Sequence, residues 1–238
     1  MEENKKQEEI KKEEIKQEET KTIDTEELKK QAAETVGQVK STVKNIKIKD
    51  ETINTKNFVK DMIKDPISKT TEISKDSDNK FLKTSVFIVI VWMAAKFLFS
   101  TLSYSKYSSF GRNILSIIKN TLSPVCIVLG LTLIIFILNK KHKKSLTTIL
   151  STVVTVYSPM VVASVLHLLN LIDYNMAKLT TPVTTLASFI TIVLSYFAMK
   201  DIFQEETELA TFKKFVLVEL IYFAVAIVVS LLGISMYI

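Results

Sequence analysis

Five long apolar runs fill residues 81–238, and no other feature of the chain restricts its fold as strongly. A helix needs roughly 20 mostly apolar residues to cross a hydrocarbon core of ~30 Å. The runs at 82–102, 121–138, 146–172, 183–199 and 215–237 are of that kind, and the second extends back to about Asn113. A soluble bundle would need a polar stripe on every helix. Residues 125–138 and 215–238 carry almost none. A membrane β-barrel would alternate polar and apolar positions, whereas these runs are continuous. The expected fold class is all-α: a polytopic membrane protein with about five transmembrane helices behind a charged, partly disordered N-terminal tail.

Charge divides the chain in the same place. Residues 1–80 hold 18 Lys and 19 Asp or Glu, and residues 81–238 hold 13 Lys or Arg and 6 Asp or Glu. The net charge of +6 therefore belongs to the apolar part. No basic face of a soluble domain is left to bind nucleic acid. Arg112 is the only arginine, which disfavours bidentate phosphate recognition. Cys126 is the only cysteine, so neither an intrachain disulfide nor a multi-cysteine metal site is expected. The four glycines do not cluster, and no nucleophile elbow, HExxH or CxxC motif is present. No cofactor is expected and no enzymatic activity. The Lys, Ile and Asn bias suggests an AT-rich genome.

The tail divides further. Residues 1–24 are almost wholly Glu, Lys, Gln and Thr, too polar to offset the entropy of ordering, so disorder is expected. Residues 25–66 hold amphipathic helical segments. Leu28, Ala32, Val36, Val39, Val43 and Ile46 recur at helical spacing close to a coiled-coil seam. Phe58, Val59, Met62 and Ile63 share a second face beside Lys56, Lys60 and Lys64, which suits anionic lipid. Pro66 ends that helix. Residues 67–80 are expected to be a linker and 81–238 the transmembrane domain.

Orientation follows from Lys and Arg near the spans. With a cytoplasmic N-terminus, the inner flanks hold 11: Lys69, Lys75, Lys80 and Lys83, then Lys140, Lys141, Lys143 and Lys144, then Lys200, Lys213 and Lys214. The outer flanks hold 4, namely Lys106, Arg112, Lys119 and Lys178. A multi-pass protein of the cell membrane is expected, with N-terminus cytoplasmic and C-terminus external. The start shows no basic-then-apolar leader.

Ionisable residues inside spans are candidate functional residues by default. Lys96 is expected near the outer end of the first span, able to snorkel outward. His167 is expected near the outer end of the third, hydrogen-bonded to a neighbouring helix or proton-responsive. Glu219 lies about one turn into the fifth, where pairing or solvation at the inner interface is expected. Pro159 interrupts the third span and leaves a carbonyl in need of a partner, which Tyr157 or Ser158 could supply. Pro124 and Pro182 are expected near span starts.

The layout resembles the Yip family (Ypt-interacting proteins and their bacterial relatives) over about residues 58–238. The five spans behind a cytoplasmic region are similar. So is the 58–66 stretch ending in Lys64-Asp65-Pro66, and Tyr157-Ser158-Pro159 resembles a Tyr-Ser-x-x-Pro element of the third span. This chain departs in having no residues between Ser and Pro. It also has no cysteine in the tail for the zinc ribbon that many bacterial relatives carry. The resemblance implies a non-enzymatic protein that associates with partners in membranes, with no catalytic residues to carry over. The leading expectation is an adaptor or scaffold whose tail recruits a protein partner or senses lipid, while the bundle anchors and self-associates. A small transporter or channel using Lys96, His167, Pro159 and Glu219 is the alternative.

Overall fold

A computed structural model describes residues 25–76, 78–107, 110–139, 144–205 and 207–231. All the regular structure among them is helical. The helices are α1 (Thr25–Lys44), α2 (Ile48–Lys64), α3 (Pro66–Ser74), α4 (Leu82–Tyr107), α5 (Phe110–Leu138), α6 (Leu146–Leu166), α7 (Ala177–Phe203) and α8 (Glu208–Leu231). Short 3-10 turns at His167–Leu171 and Tyr174–Met176 join α6 to α7. The chain forms two compact units, Met1–Gln38 and Val39–Ile238. In the first, Thr25 to Gln38 are helical. The second contains the bundle.

Among the described residues four helices are long and apolar enough to cross a membrane: Leu82–Ser105, Asn113–Leu138, Leu146–Leu171 and Ala177–Phe203. The fifth expected span falls on α8, whose first half carries Glu208, Lys213, Lys214 and Glu219; residues 232–238 lie outside the described residues. The expected disordered segment 1–24, and Lys140, Lys141 and Lys143 of the orientation count, also lie outside them. The outer surface suits lipid. On α5, Leu122, Leu129, Leu133 and Ile137 are each more than 40 % exposed and recur along one face. Water would not tolerate so long an apolar stripe on a monomer.

α6 is the central helix. Every residue from Leu146 to Ser158 is buried, with α4, α5, α7 and α3 packed around it. Its inward hydroxyls are satisfied within the helix: Thr152 donates to the Thr148 carbonyl and Thr155 to the Ser151 carbonyl, each at 2.8 Å. A Thr-rich segment can thus be buried without orphaned donors. Ser145 starts the helix, accepting the Thr148 N–H at 3.1 Å.

The region expected to be a linker, 67–80, is largely structured. Pro66 ends α2 as expected, but it also occupies the first turn of α3, where its missing N–H costs nothing. Asp65 caps α3 by accepting the Ser68 N–H at 3.1 Å. The two helices form a hairpin docked on the bundle: Phe58, Met62 and Ile73 join the main core, and Thr70 and Ser74 are fully buried. Two span starts also differ from expectation. Pro124 sits in the interior of α5 and Pro182 inside α7, because both helices begin earlier than their apolar runs.

Candidate functional site

The central helix positions the candidate residues in two groups. The first is an aromatic and polar ladder between α4 and α6. Trp92, 1 % exposed, stacks on Tyr157 with ring centroids 6.1 Å apart and planes at 29°. Its indole N–H donates to the Ser164 hydroxyl at 2.9 Å. Seven residues further along α4, Phe99 meets His167, just past the end of α6, with centroids 5.7 Å apart. Lys96 lies between Trp92 and Phe99 on that face of α4, so its charge stands beside His167. Lys96 is the fifteenth residue of its span, deeper than the expected outer-end position.

Below the ladder lies a small, partly open cavity of about 10 Å³, room for about one water molecule. Tyr157, Glu219, Thr152 and Ser195 line it with apolar residues of α5, α6 and α7. Glu219 is half-buried and makes no ion pair or hydrogen bond among the described residues. Of the pairing or solvation expected for Glu219, no pairing with Lys213 or Lys214 is made among the described residues; the Lys214 ammonium sits 5.8 Å from the centre of the Phe203 ring.

Pro159 belongs elsewhere. It faces a larger apolar groove of about 360 Å³, shared with Pro66 and Met62 of the hairpin and Leu186 and Leu194 of α7. Four of the five candidate residues therefore lie along one column, in two pairs, Tyr157 with Glu219 and Lys96 with His167. The fifth lies on the other side of α6. Sequence reasoning missed Trp92 and Ser164, which hold the column together. The sole tryptophan, placed inside a lipid-length run, was the available signal, because a buried indole N–H seeks a partner.

The end of the hairpin and the segment that follows it, residues 74–79, are fastened to the ends of α6 and α7 at four points. Lys144 donates to the Ser74 carbonyl at 3.2 Å and Thr148 to the Asp76 carbonyl at 2.7 Å. Thr147 donates to the Asn79 side-chain oxygen, and Lys75 lies 3.8 Å from Asp201. Asn79 has a φ of 56°, a left-handed conformation that Asn tolerates better than most residues. Among the described residues no group of three or more His, Cys, Asp or Glu is placed to hold a metal. No family model, curated protein or solved structure matches this chain.

Proposed function

We propose that this chain is a five-span membrane protein of Yip-like layout, with a cytoplasmic N-terminus, that acts by association rather than catalysis. The observation that carries this reading is the four-point attachment of residues 74–79, the end of the α2–α3 hairpin and the segment after it, to α6 and α7. Whatever binds the segments before the hairpin pulls on elements packed directly against the central helix. Val39 and Ile46 of the first amphipathic seam are packed on the core, while Val43 is exposed for a partner. The orientation is supported by the lysines: Lys75, Lys144 and Lys200 belong to the same end of the bundle, as the positive-inside rule requires of a cytoplasmic face. The fifth span is supported by the apolar run that begins at Phe215 in the sequence.

The test is affinity purification from native membranes in mild detergent, comparing the full chain with one lacking residues 1–38, which leaves α2 and its docking intact. A co-purifying protein lost with those residues supports the reading. An identical set from both samples overturns it.

A second reading, a small transporter or channel, is favoured by the juxtaposition of Glu219 and Tyr157 on a water-sized cavity inside the bundle. An intramembrane carboxylate beside a phenol is the chemistry of a proton relay. It requires that Glu219→Gln and Tyr157→Phe abolish a proton-coupled flux in proteoliposomes at unchanged protein abundance. Flux equal to that of empty liposomes for the unaltered chain removes this reading.

A further inference from the structure

The depth of the hairpin has a consequence for the surrounding bilayer. Its base and its tip touch α6 at different levels. At the base, Asp76 is bonded by Thr148. At the tip, Pro66 shares the groove with Pro159. Those two contacts are 11 residues apart on α6, which is ~16 Å along a helix. Pro159 is the fourteenth residue of a 26-residue span, so the tip reaches about its midpoint. α7 agrees: Ser188 meets Met160 at 3.5 Å, and the groove continues from Leu194 to Val183. That run is another ~16 Å, about half of a ~30 Å hydrocarbon core.

Yet the hairpin is not apolar on its outer side. Lys56, Lys60, Asp61, Lys64 and Asp65 are all exposed. Asp61 is engaged by Lys69 at 3.6 Å and Asp65 by its cap, whereas Lys56, Lys60 and Lys64 make no ion pair among the described residues. Charges at mid-depth are not tolerated against lipid tails; they demand water, a thinned bilayer or a partner. Above the tip the wall is the reverse, with Val162, Val183, Leu186 and Ile190 lining the groove.

We propose that the α2–α3 hairpin takes the place of one leaflet of lipid along α6 and α7. Water and phospholipid headgroups then reach the level of Pro159, and the hydrocarbon on this face is thinned to about half its depth. The three unpaired lysines favour anionic headgroups in the recess. The proposal rests on the reading of α6 and α7 as spans, and goes beyond it in assigning this face a specific bilayer partner.

Single cysteines placed by Lys60→Cys and Lys64→Cys in the full chain carrying Cys126→Ser test it. Lys80→Cys marks the hairpin end of the bundle and Asp173→Cys the opposite end. A membrane-impermeant maleimide is applied to sealed vesicles of each orientation. Lys60→Cys and Lys64→Cys label from the same side as Lys80→Cys and at a comparable rate, while Leu186→Cys loses labelling from either side. In a Met62→Cys/Val162→Cys chain, a short bifunctional maleimide joins the two positions. Cross-linking without labelling means that lipid or a second copy covers the hairpin, which overturns the proposal. Labelling without cross-linking means that the hairpin lies on the membrane surface, which overturns it equally. If Lys80→Cys and Asp173→Cys both label from the same side, the spanning reading itself has failed, and the proposal with it.

Discussion

The indole N–H of Trp92 donates to the hydroxyl of Ser164 at 2.9 Å, across the interface between α4 and the central helix. That bond sets the register of two parallel helices and places Lys96 and Phe99 one and two turns further along, beside His167. Trp92→Phe and Ser164→Ala should each destabilise the bundle. Their double-mutant coupling should be about 0.6 kcal/mol and at most about 1.7, the mean and the maximum found for side-chain hydrogen bonds between membrane helices. Equilibrium unfolding in mixed micelles measures it. In Ser164→Ala the emission of Trp92, the only tryptophan, reports the change directly.

Thr148→Val keeps the volume of the side chain but removes its bond to the Asp76 carbonyl. The valine cannot donate, so a carbonyl at the base of the hairpin loses its partner, at a cost of ~1–3 kcal/mol if it stays buried. Hydrogen exchange across residues 66–76 should accelerate, while exchange in α5 should not change.

Two isoleucines of the hairpin should behave oppositely. Ile73 is 0 % exposed and part of the main core, so Ile73→Ala should cost ~2–5 kcal/mol. Ile63 is 80 % exposed, and Ile63→Ala should fall within about 0.5 kcal/mol of the unaltered chain. Equal thermal midpoints for the two variants would contradict docking of α3 on α6 and α7.

Gln204 ends α7 in a left-handed conformation, φ 45° and ψ 42°, with its N–H on the Lys200 carbonyl at 3.1 Å. A Cβ is penalised there by ~1–2 kcal/mol. Gln204→Gly should therefore raise the unfolding midpoint, and Gln204→Val, β-branched at the same φ, should lower it.

Acid should loosen the cap of α3. The Ser68 hydroxyl, and then its backbone N–H, hold the Asp65 carboxyl below its ordinary 3.8. A folded value below the unfolded one means that the contribution of the cap is whole above 3.8. It is lost as pH falls through the lowered folded value. Asp65→Asn keeps a capping oxygen and should remove this acid dependence; Asp65→Ala should lose the cap at every pH. The difference between the unaltered chain and Asp65→Asn in hydrogen exchange of α3, followed below pH 4, isolates the effect.

Much of the architecture was legible as pattern. Apolar runs of lipid length announced helices wherever they were uninterrupted, and the Asp65–Pro66 pair announced the break between α2 and α3. Run length did not announce where helices begin. α5 and α7 start one to three turns earlier than their apolar runs, because polar residues continue a helix once it is nucleated and Pro124 and Pro182 do not stop it. The hairpin was half legible. The stripe of Phe58 and Met62 is visible in sequence, but a stripe of that kind fits a lipid surface as well as a protein one. The candidate residues were visible singly, as charges and a proline in apolar surroundings, and their grouping was not.

Composition by itself determined that this chain is helical and carries segments that can cross a membrane, because only internally hydrogen-bonded backbone survives in hydrocarbon and only apolar side chains are at ease there. Tertiary structure decided which helix is central, that Tyr157 meets Glu219 while Pro159 turns away from both, and that residues 66–74 form part of the bundle wall rather than a linker. Those facts depend on which faces of separate helices meet. Such pairings are set by side-chain fit and hydrogen bonds between residues far apart in sequence, such as Trp92 with Ser164 and Thr148 with Asp76.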